Sequence, residues 1–363
     1  MKAAVVNALT GRFAIEEVEI DEPIGHEVLV DVRASGLCHS DLHLANHDFG
    51  VPLPAVLGHE VAGVVRAVGP LVTEFGVGDH VVGSLVQFCG VCDTCRSGQT
   101  FRCGHPEATL RDPADAPRLS RNGSPLTQAF GMGGFAEKVL IHEHQLAAIP
   151  SELPFPQAAI LGCGCITGAG AVINSARVRP GDTVAIIGVG GVGLNAITGA
   201  RLSGARVIIA IDIHPSKEAL SRKFGATHFI DGATPDLMDS ISDIVPGGVD
   251  HAFEMVGQAD TTLQAVRISR VGGSVYLIGA HRPGSTVNID VLTDIIGPQR
   301  TIKGVFMGGA NIKRDIPAYA DLYLQGRFNL DDLVSQTISL DEINDAYELI
   351  ESGAIARSVI TNF

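Results

Sequence analysis

The sequence contains few charged residues, few aromatic residues and no tryptophan. Charged residues make up 18% and aromatic residues 5% of the 363 residues, against 45% for apolar residues. This balance excludes a disordered chain, and the 43 glycines favour a tightly packed α/β protein. At about 150 residues per domain, the length predicts two domains. The lack of tryptophan also means that no indole ring can fill a ligand pocket.

Basic residues are outnumbered by acidic ones. The chain has 26 Lys and Arg against 40 Asp and Glu, which gives a formal net charge of −14. A field of this sign repels the phosphate backbone of nucleic acids and anionic membrane surfaces. We therefore expect no nucleic-acid partner.

Long runs of large apolar residues are also missing. Only four apolar residues follow Lys2, too few for the core of a signal peptide, so we expect no export. The uncharged stretches 158–176 and 183–200 are rich in Gly, Asn, Thr and Ser rather than Leu and Phe. Each is interpreted as a buried strand, turn and helix start rather than a membrane span. We expect a cytoplasmic protein with no membrane partner.

Short β segments separated by Gly and Pro fill the first 150 residues. The predicted strands are Lys2–Val6, Phe13–Ile20, Glu27–Ala34, Glu60–Val68, Asp79–Ser84 and Phe135–Ile141. The polar stretch Thr100–Gln128 has scattered prolines and little periodicity, which predicts a long loop. The first part of the chain is therefore predicted to be β-rich.

After Pro180, β runs alternate with helical segments. The predicted strands are Thr183–Gly188, Ala205–Asp212, Thr227–Ile230, Asp250–Val256, Gly273–Gly279 and Thr301–Phe306. The predicted helices are Gly193–Ser203, Lys217–Phe224, Leu237–Val245 and Thr261–Arg270. Six strands with helical crossovers between most of them predict a doubly wound parallel sheet.

A glycine-rich motif follows the first of these strands. It has the form G-x-G-x-x-G and consists of Gly188, Val189, Gly190, Gly191, Val192 and Gly193. Its glycines permit a tight turn, close approach of a pyrophosphate to the backbone, and close packing of helix on strand. Asp212 lies about 20 residues further on, where a carboxylate can bind the ribose hydroxyls of a dinucleotide. A carboxylate there repels a 2′-phosphate, so the predicted cofactor is NAD rather than NADP.

Four of the seven cysteines lie close together in the sequence. Cys89, Cys92, Cys95 and Cys103 have the spacing C-x2-C-x2-C-x7-C. Four thiolates on one lobe are typical of a closed, tetrahedral structural zinc site. The alternatives are disulfides or an iron–sulfur cluster, but the bacterial cluster motif has a proline after its last cysteine, where this chain has Gly104. The spacing favours zinc and a reducing compartment.

Three further candidate metal ligands are far apart in the sequence. Cys38 in GLCHSD and His59 in GHE stand at ends of predicted strands, and Cys163 in LGCG precedes the nucleotide-binding part. Two thiolates and one imidazole leave the open fourth position that a catalytic zinc requires. Alternatively, Cys163 or Cys165 is a small core residue and His59 is a buried histidine. Spacing alone does not bring the three residues together.

These motifs together resemble the zinc-dependent alcohol dehydrogenases of the medium-chain dehydrogenase/reductase family. The resemblance covers essentially the whole chain and includes GLCHSDLH, LGHEVAGVV, the four-cysteine lobe, LGCG, GVGGVG and ARSVI. It implies an α/β protein with a GroES-like catalytic domain of residues 1–164, completed by residues 307–363, and an inserted Rossmann domain of residues 165–306. It also implies two zinc ions per chain, NAD, and a small-molecule alcohol or aldehyde as substrate.

The resemblance assigns the metal ligands. Cys38, His59 and Cys163 match the ligands of the catalytic zinc, and Glu60 matches the neighbouring carboxylate that can approach the metal. Zinc in such a site lowers the pKa of an alcohol, so that hydride can leave for the nicotinamide ring near neutral pH.

The resemblance also assigns substrate and cofactor contacts. Ser40 matches the hydroxyl that touches the substrate oxygen, and His43 matches the histidine at the far end of a proton relay. His39 and Arg357 stand where the family carries basic residues near the pyrophosphate. Thr167 matches a residue that packs against the nicotinamide.

The substrate itself is predicted only by class. In the family pattern, Leu85 and Ala129 occupy positions that often carry large aromatic side chains, and Phe130 follows Ala129. Smaller residues there predict a roomy apolar pocket for bulky or aromatic primary alcohols. A thiol-dependent formaldehyde dehydrogenase and a non-catalytic protein that binds NAD and zinc are the alternatives. The family is dimeric or tetrameric, and Thr100–Gln128 resembles its dimeric members, so we expect a homo-oligomer and favour a dimer.

Overall fold

A computed structural model describes residues 1–235, 237–351 and 356–363. The chain divides into two compact units, one of Met1–Cys163 with Asn311–Phe363 and one of Gly164–Ala310. The first unit contains both ends of the chain. The predicted boundary at residue 306 falls within the last segment of the second unit, because Gly308 packs closely against the carbonyl of Ile166.

Within the described residues, the first unit contains three β-sheets. The largest has the order Leu146–Ala148, His80–Gly83, Glu60–Val68, Glu27–Gly36, Ser358–Asn362 and Gln336–Ser339, and Lys138–His142 also pairs with Glu27–Gly36. The second has the order Thr127–Gln128, Ala55–Val56, Lys2–Val6 and Ala14–Glu17. The third contains Glu19–Ile20, Leu119–Arg121 and Ser124–Pro125. This part of the chain is β-rich, as its alternation of apolar segments and turns predicts.

The C-terminal segment completes the largest sheet. Val359 and Ile360 pair antiparallel with Gly36 and Ser35 of the central strand. The helices of this unit are His39–Asn46, Asp93–Arg96, Phe155–Ala159, Ile312–Leu324 and Ile343–Glu351. An apolar cluster joins helix His39–Asn46 to the C-terminal helix and includes the buried side chains of Leu37, Leu42, Phe135, Ile343 and Tyr347. The strand end that carries Cys38 is therefore supported by a core from both ends of the chain.

The described part of the second unit contains a six-stranded parallel sheet. Its order is His228–Asp231, Val207–Asp212, Thr183–Ile187, Val249–Glu254, Ser269–Leu277 and Thr301–Gly304. The helices are Gly164–Gly170, Gly191–Leu202, Glu218–Phe224, Leu237–Ile244 and Ala259–Ile268. This is the doubly wound order in which a dinucleotide binds where the strand order reverses. The predicted fold class is confirmed.

Three local predictions are wrong. Thr100–Gln128 contains three short strands, because Leu119–Arg121 pairs with Glu19–Ile20 and Thr127 pairs with Ala55, partners that lie far away in the sequence. The single strand predicted over 13–20 is divided between two sheets at Val18, whose backbone N–H donates to the carbonyl of Met1. Residues 158–176 form helices rather than a strand and a turn.

Within the described residues, no single helix is long and apolar enough to cross a membrane. The helical stretches 155–162 and 164–176 meet the length and composition criteria only when they are taken together as a bent pair. Buried helices of a protein core meet the same criteria.

Candidate active site and metal centres

Cys38, His59, Glu60 and Cys163 meet in the first unit. One ligand atom from each lies within 4.8 Å of the others, and all four side chains are buried. Cys38 follows strand Glu27–Gly36, and Glu60 begins the antiparallel strand Glu60–Val68, with Gly36 and Glu60 paired across the ladder. This pairing brings two separate sequence motifs to one sheet end. Sequence spacing alone could not bring Cys163 to the same point.

The imidazole of His59 is held by an acidic residue that the sequence analysis did not single out. Nδ1 of His59 lies 3.0 Å from Oδ1 of Asp41, which also accepts the backbone N–H of Gly58 at 3.0 Å. Nε2 of His59 lies 3.3 Å from Oγ of Ser40, and that hydroxyl lies 3.1 Å from Sγ of Cys38. Metal-ligating histidines commonly form a hydrogen bond to a carboxylate through the nitrogen that does not bind the metal. The last residue of the GLCHSD motif is Asp41, so the sequence did contain a signal for this contact.

Glu60 is a buried carboxylate that is only half satisfied. Oε1 accepts a hydrogen bond from Nη2 of Arg357 at 3.0 Å, whereas Oε2 has no hydrogen-bond partner among the described residues. A Cβ atom on Gly36 would lie 2.3 Å from Oε2, so a glycine is needed to leave room for this carboxylate. Burial raises the pKa of Glu60 to about 7, against the charge of Arg357. A buried oxygen of this kind fits a nearby cation.

Arg357 and Tyr347 tie the C-terminal segment to the Cys38 backbone. Nη1 of Arg357 donates to the carbonyl of Leu37 at 3.3 Å, and the hydroxyl of Tyr347 donates to the carbonyl of Cys38 at 3.3 Å. The hydrogen bond with Cys163 and the charge of Arg357 hold the pKa of Cys38 well below its usual range. Thiolate is the form of cysteine that binds zinc. The donor set therefore fits a zinc ion with Cys38, His59 and Cys163 as ligands.

The four remaining candidate ligands form a separate cluster. Sγ of Cys92 lies 3.4 Å from Sγ of Cys95 and 3.8 Å from Sγ of Cys103, and Sγ of Cys89 lies 3.9 Å from Sγ of Cys95. Tetrahedral zinc with bonds of about 2.3 Å to sulfur places its thiolates about 3.8 Å apart. None of the four is in a disulfide. The geometry fits structural zinc, and the disulfide alternative is not supported.

Hydrogen bonds favour the thiolate form of Cys89 and Cys92 in this lobe, whereas burial raises the pKa of Cys95 to about 12. The backbone N–H groups of Val91 and Cys92 lower the pKa of Cys89, and the hydroxyl of Thr94 lowers the pKa of Cys92 to about 6. The backbone N–H groups of Cys89 and His105 donate to Sγ of Cys103, each at 3.3 Å. Such N–H···S contacts stabilise negative sulfur.

The glycine-rich motif lies in the second unit as predicted, between strand Thr183–Ile187 and helix Gly191–Leu202. Gly188 has φ of +92°, a value that favours glycine. A Cβ on Gly193 would lie 2.0 Å from the carbonyl oxygen of Gly188, whereas a Cβ on Gly190 would meet no atom within 4 Å. The loop is therefore closed on its inner side and open at Gly190, which fits a pyrophosphate over Gly190, Gly191 and Val192.

Asp212 ends the neighbouring strand and is bound to this loop. Oδ2 accepts the backbone N–H of Val189 at 2.8 Å, and Oδ1 accepts that of His214 at 3.0 Å. Nζ of Lys217 lies 3.0 Å from Oδ2. The sequence analysis did not identify Lys217 as a site residue. Its position, five residues after the predicted ribose-binding carboxylate Asp212, was the signal that could have identified it. Asp212 and Lys217 are together suited to the hydroxyls of a ribose.

The other predicted site residues occupy varied environments. Thr167 is buried, and its hydroxyl lies 3.5 Å from Sδ of Met307. His39 and His43 lie one turn apart on helix His39–Asn46, with ring centroids 6.2 Å apart. The ring of Phe130 meets that of His59 edge to face, with centroids 5.8 Å apart. The roles assigned to these residues stay predictions.

The two other candidate pocket residues, Ala129 and Leu85, differ in burial. Ala129 is buried in the same apolar cluster as Leu42 and Phe135, whereas Leu85 is half-buried. Phe130 itself has φ of +55°, a strained value for a large side chain. Of these candidates, Phe130 supplies the ring that meets the ring of His59.

Comparison with known proteins identifies the family. Residues 25–151 match the family described as alcohol dehydrogenase GroES-like domain, and residues 191–325 match the family described as zinc-binding dehydrogenase. S-(hydroxymethyl)glutathione dehydrogenase of Escherichia coli is 38% identical over 366 residues, covering 99% of each chain.

Solved structures agree with this result. An alcohol dehydrogenase zinc-binding domain protein from Burkholderia ambifaria is 40% identical, with a TM-score of 0.94 over 100% of this chain and 98% of that one. Benzyl alcohol dehydrogenase from Acinetobacter calcoaceticus is 36% identical, with a TM-score of 0.93 over 100% of this chain and 99% of that one. The chain belongs to the zinc-dependent alcohol dehydrogenases of the medium-chain dehydrogenase/reductase family.

Proposed function

We propose that this protein is an NAD-dependent dehydrogenase that interconverts a bulky or aromatic primary alcohol and its aldehyde. The observation that carries the proposal is the buried group of two thiols, one imidazole and one carboxylate around a common point. Three protein ligands with a fourth position for substrate are the arrangement of a catalytic zinc. The identity with benzyl alcohol dehydrogenase supports an aromatic substrate.

The residues around this point have different proposed roles in catalysis. When bound, zinc supplies Lewis acidity toward an alcohol or carbonyl oxygen. Cys38, His59 and Cys163 would hold it, and Asp41 fixes the orientation of the His59 ring. The hydroxyl of Ser40 would take up the proton that the alcohol loses and release its own proton toward His43, which would pass a proton on to solvent. The four side chains that meet at this point are buried, which limits the access of water to the site.

The nucleotide that accepts the hydride is proposed to be NAD. Asp212 carries a negative charge where a 2′-phosphate of NADP would lie, and this repulsion favours NAD. His39, Arg357 and Thr167 are proposed to complete the cofactor site. A second zinc is proposed for the four-cysteine lobe, where its role is to stabilise the fold.

Solution behaviour forms part of the proposal. We propose a cytoplasmic homo-oligomer, with a dimer favoured over a tetramer. Strand Thr301–Gly304 lies at the edge of the parallel sheet and contains the exposed residue Ile302. Three apolar residues near it in the sequence are also exposed: Leu292, Ile296 and Phe306. An exposed edge strand with apolar neighbours is suited to pairing with a second copy.

A thiol-dependent formaldehyde dehydrogenase is the second candidate. It is favoured by the identity with S-(hydroxymethyl)glutathione dehydrogenase. The two candidates differ in the substrate that must be present, because the second acts on an adduct of formaldehyde and a low-molecular-weight thiol.

A substrate panel followed by NADH absorbance tests both candidates. We expect kcat/KM to rise from ethanol to hexanol and benzyl alcohol, with no thiol requirement. Formaldehyde oxidation that requires added glutathione, with weak activity on benzyl alcohol, would favour the second candidate. Nucleotide binding without oxidation of any alcohol or adduct would support the non-catalytic alternative.

A further inference from the structure

Glu254 is a buried carboxylate in the second unit that none of the assigned roles uses. It ends strand Val249–Glu254, which lies beside strand Thr183–Ile187 in the parallel sheet. These are the two strands between which the strand order reverses, so Glu254 stands at the edge of the dinucleotide crevice. Its side chain is 0% exposed.

One oxygen of Glu254 organises the turn that follows the strand. Oε1 accepts the backbone N–H groups of Val256 and Gly257, each at 2.8 Å, and lies 2.8 Å from the hydroxyl of Thr261 at the start of the next helix. Oε2 is buried and has no hydrogen-bond partner among the described residues. A carboxylate with one unsatisfied oxygen is costly to bury, so stabilising this turn is a weak reason for its presence.

The turn held by Glu254 packs directly on the phosphate-binding loop. A Cβ atom on Gly188 would lie 2.7 Å from Cγ2 of Val256. The backbone N–H of Val256 is one of the two that donate to Oε1 of Glu254. Val256 is 41% exposed, so this turn lies at the protein surface beside the first glycine of the motif. Any shift of the 255–258 turn is therefore passed to the first glycine of the motif.

The same turn also meets the next loop of the crevice. A Cβ on Gly279 would lie 2.1 Å from the backbone nitrogen of Gly257, and a Cβ on Gly257 would lie 2.6 Å from the carbonyl oxygen of Ala280. Because the backbones of the two turns are packed this closely, one turn cannot shift without moving the other. One side chain thus sets the positions of the loops that follow strands Thr183–Ile187, Val249–Glu254 and Ser269–Leu277.

We propose that Glu254 is a positioning residue for dinucleotide binding: its buried carboxylate sets the 255–258 turn against Gly188 and so fixes the shape of the pyrophosphate crevice. This inference rests on the proposed nucleotide-binding function. It concerns affinity for the nucleotide and not the chemistry at the metal centre, which lies in the other unit.

The test compares nucleotide affinity with folding stability. Glu254→Gln removes the negative charge of the side chain but keeps an oxygen that can accept hydrogen bonds. Thr261→Val removes the hydroxyl that donates to Oε1 of Glu254. We expect Glu254→Gln to raise the Kd for NADH, measured by fluorescence titration of the zinc-loaded protein, by about tenfold. Thr261→Val should raise it by about threefold. In both variants the KM for NAD should rise while the KM for the alcohol stays constant.

Asp250 provides a matched control on the same strand. It lies at the opposite, amino end, where its carboxylate binds Thr183 and Arg270. Asp250→Asn should lower the melting temperature without changing the Kd for NADH. If Glu254→Gln and Thr261→Val lower the melting temperature but bind NADH as tightly as the wild type, the inference is overturned and Glu254 is only structural. A wild-type protein that binds no nicotinamide nucleotide would overturn the proposed function and this inference with it.

Discussion

Oδ1 of Asp41 lies 3.0 Å from Nδ1 of His59, and neither side chain is exposed to solvent. The same oxygen accepts the backbone N–H of Gly58. The imidazole is therefore fixed at one nitrogen, which leaves Nε2, beside Ser40, as the nitrogen available to a metal. A carboxylate in this position orients the ring and increases its basicity as a ligand.

Removal of the Asp41 charge should weaken the catalytic metal site. We expect Asp41→Asn to lower zinc affinity about 10- to 100-fold, because outer partners of ligating histidines contribute on that scale. Competition with a chromogenic chelator measures the affinity. Asp48→Asn is the control, since Asp48 is exposed and accepts the backbone N–H of Gly50. Equal zinc affinity in Asp41→Asn and the wild type would contradict the assigned role.

The two metal centres should be separable by mutation. We expect two zinc ions per chain in the wild type and one in each of Cys38→Ser and Cys95→Ser. Cys38→Ser should lose nearly all activity and keep its fold, whereas Cys95→Ser should lose stability, because structural zinc contributes to folding free energy. Elemental analysis with thermal unfolding gives both results. An active wild type with one zinc per chain would refute the two-site assignment.

Nucleotide preference should depend on Asp212. We expect Asp212→Gly to weaken use of NAD and to improve use of NADP, since Lys217 then loses its carboxylate partner and can face a 2′-phosphate. Each tenfold change in the ratio of kcat/KM values corresponds to about 1.4 kcal/mol. Asp231→Asn is the control, because Asp231 ends the adjacent strand opposite Asp212. A wild type that uses both nucleotides equally would show that Asp212 does not discriminate.

His142 should make folding stability depend on pH. Its Nδ1 accepts the backbone N–H of His144 at 3.0 Å, and burial lowers the pKa of His142 from 6.5 to about 4. Below pH 6.5 the unfolded chain takes up a proton that the folded chain does not, so the free energy of unfolding falls as the pH falls toward 4. The slope from this group is at most about 1.4 kcal/mol per pH unit.

Urea unfolding between pH 6.5 and 5 measures this slope without entering the more acidic range where zinc thiolates release metal. His142→Gln should flatten the slope, because Gln cannot titrate. The exposed His47 provides the control variant His47→Gln, which should leave the slope unchanged. An unchanged slope in His142→Gln would show that other groups control the acid sensitivity.

The alternating strands and helices after Pro180 were predictable because each element carries its own local pattern. Parallel strands buried on both faces read as continuous apolar runs, and Val207–Asp212 is buried throughout. The strands Leu119–Arg121 and Thr127–Gln128 were not predictable, because they are short and their partners lie about 100 and 70 residues away in the sequence. Local pattern contains no information on such pairs.

The same limit applies to the metal site. The ligand types Cys38, His59 and Cys163 were visible in the sequence, and the family pattern gave them roles. The hydrogen bond from Tyr347 to the Cys38 carbonyl was not predictable, because it joins residues 309 apart. Only the tertiary fold brings such a pair together.

The proposed substrate pocket should depend on where one aromatic ring lies. Phe130 has φ of +55°, and its ring meets the ring of His59 edge to face. Ala129 is buried and half-buried Leu85 is aliphatic, so Phe130 is the aromatic side chain among the three pocket candidates. We propose that Phe130 only partly refills the space that larger side chains would take at Leu85 and Ala129.

Substrate size preference should follow from this arrangement. Apolar pockets discriminate by about 1–3 kcal/mol per methylene, so we expect broad specificity, with kcat/KM for benzyl alcohol and hexanol above that for ethanol. Leu85→Trp should fill the pocket and lower kcat/KM for benzyl alcohol at least about tenfold more than for ethanol. Leu71→Trp is the control, because Leu71 is 56% exposed in the same unit. If ethanol already has the highest kcat/KM in the wild type, and Leu85→Trp alters all three substrates equally, then Phe130 fills the pocket and the enlarged site does not exist.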